Sequence, residues 1–158
     1  MSANWLLCLM VMMVGCSANR ASQSGVPDGR LAPCPDSPNC VSSRSGDERH
    51  AIAPLRYEGP AEAAMQDLIA VLRGMRGARV KTVQPGYVHA EFTTLLFRFV
   101  DDVEFLLDGG SKTIDVRSAS RVGYYDLGVN RRRVEAIRAR FEALHRNGRF
   151  SAGSDRSP

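Results

Sequence analysis

The strongest constraint on the fold is an alternation of period two that leaves several segments apolar on one side and charged on the other. From Tyr87 to Thr94, Val88, Ala90 and Phe92 share one side, and Tyr87, His89, Glu91 and Thr93 share the other. Lys112 to Ser118 repeats the pattern, with Ile114 and Val116 set against Thr113, Asp115 and Arg117. Val103 to Leu107 is a further strand, closed by the hairpin signal Asp108-Gly109-Gly110-Ser111. Ala78 to Gln84 leads into Tyr87 through a Pro85-Gly86 turn. Side chains alternate across a strand, so such segments build an antiparallel sheet with one face that must be covered.

Two helical stripes supply the cover. A short strand at Leu55-Arg56-Tyr57 is followed by Gly59-Pro60-Ala61-Glu62, with proline in the first turn and an acid favourable to the helix dipole. Met65, Leu68, Ile69 and Leu72 then recur at helical spacing until Gly74. In a second helix, capped by Asn130, Val134, Ile137, Phe141 and Leu144 form the apolar stripe, with Arg132, Glu135, Arg138 and Glu142 largely on the wet side. The expectation is an α+β fold: an antiparallel sheet of about four or five strands with two helices packed on one face. The opposite face is polar, and is either solvated or a binding surface.

Neither end of the chain belongs to that core. Met1 to Gly15 carries no charged side chain, and its apolar run from Trp5 to Val14 is shorter than the roughly 20 residues of a spanning helix. It matches the apolar region of a signal peptide, about 7–15 residues. The run ends in Met13-Val14-Gly15-Cys16-Ser17, which resembles the bacterial lipobox. That resemblance implies cleavage before Cys16, lipid on its sulfur, and stable anchoring once several acyl chains are present. A plain secretory leader or a misplaced start is the competing reading, because Met13 stands where leucine is usual and no Lys or Arg precedes the run. The expected organisation is a leader at 1–15, a flexible tether at 16–32, one domain at 33–146 and a disordered tail at 147–158. The chain would face the periplasm from a bacterial envelope membrane, with Ser17 favouring the outer one.

Cys34 and Cys40 remain after the leader and Cys16 are accounted for. They flank Pro35-Asp36-Ser37-Pro38-Asn39, a stretch of turn formers that can bring the sulfurs together, and an oxidising envelope favours a disulfide. A redox couple or a metal site competes, but the spacing is not C-x-x-C and only His50 lies nearby as a soft ligand. No metal or cofactor is expected.

Two segments are more particular than pattern requires, Cys34 to Ser43 and Ser118 to Glu135, and Asp101-Asp102-Val103-Glu104-Phe105 lies between them. Together they resemble the uncharacterised family called domain of unknown function 1499, over roughly Leu31 to Leu144. The resemblance implies a small envelope or organelle-associated domain without an established activity.

The loop from Ser120 to Asn130 is the richest in chemistry. Arg121 follows a strand, Asp126 lies midway, and Asn130 to Arg133 open a helix whose first amides attract anions. Arg121 and Arg133 could hold a carboxylate or phosphate by paired hydrogen bonds. Asp101, Asp102 and Glu104 compete for the same arginines, so an internal ion-pair and capping network is the bland alternative. An acid–base enzyme using those acids with Arg121 and Asp126 would need a cleft and separated pKa values. No G-x-S-x-G, H-E-x-x-H, phosphate loop or dinucleotide fingerprint occurs. The net charge of +4, with acids interspersed among the arginines, does not make the stripe of a nucleic-acid binder. The leading expectation is a non-catalytic envelope lipoprotein. It would bind an anionic small molecule, a lipid headgroup or a partner protein through Arg121, Asp126, Asn130, Arg133, Asp101, Asp102 and Glu104. A purely structural envelope component is the third reading.

Overall fold

The computed structural model describes residue 26, residues 29–94 and residues 98–153, with side chains up to residue 146 in the last helix. The leader, Cys16 and most of the tether lie outside the described residues. The elements are β1 (Cys40–Ser42), β2 (Leu55–Arg56), α1 (Ala61–Arg73), β3 (Ala78–Gln84), β4 (Tyr87–Thr93), β5 (Val100–Asp108), β6 (Thr113–Ser120) and α2 (Val129–Gly153). The fold is α+β. Its sheet is six-stranded, in the order β1-β6-β5-β4-β3 with β2 also on β6, and every strand pair is antiparallel.

The register fixes what each face carries. Val88 pairs with Phe105 and Ala90 with Val103, while Phe105 pairs in turn with Val116, and Leu107 with Ile114. These side chains meet Leu68 and Leu72 of α1 and Val134, Ile137 and Phe141 of α2 in one core. Removing each of these large side chains from water contributes about 1.5–3 kcal/mol. Helix α1 starts after extended Pro60, carries Glu62 in its first turn and Arg73 in its last, and stops at Gly74. Gly77 then turns the chain into β3 at φ +79°, where an added Cβ would stand 2.8 Å from the Thr93 carbonyl oxygen. Among the described residues β3 is a long outer strand of the sheet; its pairing with β4 shifts between Val80 and Thr82, and Arg79 and Lys81 are exposed.

Four expectations change. β1 adds a strand where the sequence suggests only turns, because its three residues pair with Ala119, Ser118 and Arg117, far along the chain. Leu31 and Ala32, assigned above to the tether, are buried, so the domain begins before Pro33. Helix α2 runs through Gly153, past the Asn147 start of the expected tail. Leu144 is 38% exposed, and His145 instead takes the buried position, stacked on Phe141 at 5.4 Å between ring centroids. The His145 ring also spans Asp67 and the Glu58 carbonyl, each at 2.8 Å, which ties α2 to α1.

Candidate functional site

The candidate residues separate onto the two faces of the sheet. At one end of β5, Asp101 lies on the core side and its carboxylate accepts from Arg133 of α2, both side chains being nearly inaccessible. The Arg133 guanidinium also sits 5.0 Å from the Phe92 ring centroid and donates to Asn130 Oδ1 at 2.6 Å. Asn130 is fully buried and does not cap the helix. Its amide nitrogen donates to the Asn39 carbonyl, Ser120 Oγ and Asp126, while its oxygen accepts from Ser118 Oγ at 2.6 Å. The cap is Asp126, whose carboxylate accepts the backbone N–H of Gly128 and of Asn130, each at 2.8 Å. A carboxylate there satisfies orphan amides and faces the positive end of the helix dipole. Arg133, Asn130 and Asp126 therefore lock the start of α2 to β5, β6 and the segment carrying Asn39.

On the other face the polar side chains are buried, not solvated. His89, Asp102, Glu104, Asp115 and Arg117 are all inaccessible or nearly so, and Glu104 stands opposite His89 on one side and Arg117 on the other. The Tyr87 hydroxyl donates to Glu104 at 2.9 Å, and Arg117 donates to the other Glu104 oxygen at 3.0 Å. Burial, then the charge and hydrogen bond of Glu104, push the Tyr87 hydroxyl well above its ordinary pKa, so it remains a donor. Beside it, Asp102 contacts His89 Nε2 at 2.8 Å and takes two bonds from Arg121, at 2.9 and 2.7 Å. Arg121 reaches Glu91 at 2.5 Å, and Lys81 approaches the same carboxylate at 3.4 Å. Burial opposes the charged form of Asp102, but the bonds from His89 and Arg121 outweigh it and hold its pKa at about 2. The same bonds, to Asp102 first and Glu91 second, raise Arg121, and Arg121 holds Glu91 below its usual range.

Sequence reasoning set Asp102 and Glu104 against Arg121 but did not name their other partners. Tyr87, His89, Glu91 and Arg117 complete the network, and the only signal for them was their shared parity on the polar side of alternating strands.

A third feature is open. A cleft of about 670 Å³ lies between residues 30–36 and 44–50, beside the Cys34–Cys40 disulfide, and is bordered by Arg30, Arg44, His50, Asp36 and Asp47. Arg44 Nε forms a 2.7 Å ion pair with buried Asp115, which positions the guanidinium while over half of its side-chain surface stays exposed. Asp47 is held at a pKa of about 2 by the side-chain and backbone hydrogen bonds of Arg49. His50 is buried, with Asp47 on one ring nitrogen at 3.1 Å and the Ser37 carbonyl on the other at 3.2 Å. Among the described residues there is no group of three or more His, Cys, Asp or Glu arranged to hold a metal, and no helix long and apolar enough to cross a membrane.

No curated protein shows significant similarity to the chain. A family model matches residues 30–141, which take in the disulfide, the sheet, the network on each face and most of the α2 stripe; the chain belongs to the family described as Protein of unknown function (DUF1499).

Proposed function

We propose that this chain is a non-catalytic envelope lipoprotein, anchored through Cys16, whose domain binds an anionic group in the cleft between residues 30–36 and 44–50. The observation that carries the reading is the division of labour among its arginines. Arg121 and Arg133 are committed to Asp102, Glu91 and Asp101, whereas half-exposed Arg44 pairs with Asp115 through Nε and borders an open cleft. A guanidinium fixed at one nitrogen can offer its other two to a phosphate or carboxylate as parallel donors. Acid–base catalysis is less well supported. Asp101, Asp102 and Glu104 each carry a basic partner and do not face one another across a cleft.

Two measurements test this reading. Mass spectrometry of the N-terminal peptide from membrane-extracted protein should find acyl chains on Cys16, and an unmodified thiol on a chain still carrying Met1 would overturn the anchoring. Titration with inorganic phosphate and with short-chain phosphatidylglycerol should show binding that Arg44→Ala weakens by roughly tenfold, the equivalent of about 1.4 kcal/mol. Phosphate binding alone points to a free anion, and binding of the lipid alone points to a headgroup. Binding of neither, or equal binding by the variant, refutes the cleft.

A further inference from the structure

Among the described residues, seven large hydrophobic side chains are exposed, and five of them lie at one end of the sheet: Phe99, Val122, Tyr124, Tyr125 and Leu127. Four belong to the loop of residues 121–128, and Tyr124 and Leu127 are each 73% exposed. The fifth, Phe99, lies beside them because the Arg121 amide donates to the carbonyl of Val100 at 3.2 Å.

This exposure is built in. Asp126 pins the loop to the start of α2, Asn39 donates to the Gly123 carbonyl at 2.5 Å, and Leu127, Gly123 and Gly128 all adopt positive φ. The left-handed backbone at Leu127 carries a steric penalty that a largely exposed side chain does little to offset. A fixed loop presenting two tyrosines, a valine and a leucine to water needs a partner of matching character.

Two further observations identify that partner. Cations adjoin the patch: exposed Arg132 donates to the Leu127 carbonyl at 2.8 Å, and Arg131 at the start of α2 donates to the carbonyl of exposed Arg49 at 3.0 Å. The acids here are largely taken up within the chain: Asp126 of the loop accepts the Gly128 and Asn130 amides, and Asp47 pairs with Arg49, which offsets the charge of that arginine. The chain also enters the domain here. Asn39 joins the loop to the Cys34–Cys40 segment, and Arg30 borders the same cleft as Cys34. About 14 residues separate Cys16 from residue 30, and a coil of that length would have a root-mean-square reach of roughly 20 Å. Amphipathic aromatics next to arginines suit the headgroup layer, where tyrosine places its ring among acyl chains and its hydroxyl in water.

We infer that the loop of residues 121–128, with Tyr124, Tyr125 and Leu127 at its tip, inserts into the interface of an anionic lipid bilayer and holds the domain with its cleft toward the membrane. The inference rests on the anchored reading above and adds an orientation to it. Arginine contacts with anionic headgroups supply attraction that added salt screens, and burial of the loop tip supplies a part that salt does not weaken.

The test uses the full chain with Trp5→Phe, which removes the single native tryptophan, and places a reporter by Leu127→Trp or, as control, Val83→Trp. Val83 is also exposed but lies at the opposite end of the sheet, near the β3–β4 turn. Each protein is reconstituted in phosphatidylethanolamine–phosphatidylglycerol vesicles with and without brominated acyl chains, and Cys16 is checked for lipid on the same sample. The expected result is a blue-shifted emission strongly quenched by bromolipid for the Leu127 reporter, with the Val83 reporter quenched only by aqueous iodide. With Cys16 lipidated and the two reporters alike, the inference falls while the anchored reading stands. With Cys16 unlipidated, the anchored reading falls, and adding vesicles to the unanchored chain decides the loop: bromolipid quenching supports insertion and its absence overturns it. Leu127→Ser with Tyr125→Ser should then lower partition of the unanchored chain by roughly tenfold or more; an unchanged partition overturns the inference.

Discussion

Asp102→Asn isolates the electrostatic contribution of the polar face. The carboxylate is 1% exposed, contacts His89 and receives two bonds from Arg121, and its pKa drops from the usual 3.8 to about 2. At about 1.36 kcal/mol per unit, that difference stabilises the folded chain by about 2 kcal/mol when the group is ionised. The asparagine retains the shape but loses the charge, and leaves Arg121 with Glu91 alone; the full loss at neutral pH is then about 2–4 kcal/mol. For a domain of this size that lowers the melting midpoint by about 10 °C. Because the folded pKa is depressed, the contribution is complete above the unfolded value and disappears as pH falls through about 2. Urea denaturation followed by circular dichroism at pH 7, 4 and about 2.5 should show a wide gap between native chain and variant at pH 7 that narrows at the acid end. A gap below about 1 kcal/mol at pH 7, or one of equal size at every pH, would refute the reasoning.

Arg133→Met leaves Asp101 buried without its cation and should cost about 3–5 kcal/mol, with Asp101→Asn in the same chain recovering much of it; a double-mutant cycle with no coupling would contradict the pairing. Reducing the Cys34–Cys40 bridge opens a loop of sequence separation 6. In differential scanning calorimetry with and without reductant the loss should be about 2 kcal/mol. Gly77→Ala forces a Cβ against the Thr93 carbonyl oxygen at positive φ and should destabilise by about 1–3 kcal/mol, measured as a lower urea midpoint with an unchanged slope.

The sequence carried most of the scaffold because β4, β5, β6 and both helices follow simple periodicities. It concealed β1, since three residues beside a proline-rich turn become a strand only through partners some eighty positions away. Alternation told which side His89, Glu91 and Arg117 occupy, but not that this side is buried. That depends on how charges neutralise one another across strands, and hence on register: Glu104 opposite both His89 and Arg117, Asp102 opposite Glu91. The competition of Asp101 and Asp102 for Arg133 and Arg121 was visible as a possibility, whereas the winner required coordinates. Asn130 carries a capping signature that Asp126 displaces, because a buried amide is needed to bridge Ser118, Ser120 and Asn39. The cleft was invisible, since Arg44 and Asp115 meet only when β1 lies along β6.

The outer border of β3 bears on how these molecules tolerate one another. A long strand with unsatisfied amides and carbonyls is a template on which an identical strand can add. Here the shifted spacing between Val80 and Thr82 spoils the repeat that an incoming copy would have to match. Exposed Arg79 adds positive charge along that approach, while Lys81 turns back toward Glu91 of β4 at 3.4 Å. Copies crowded onto a shared surface would thus find in this strand a poor template for one another.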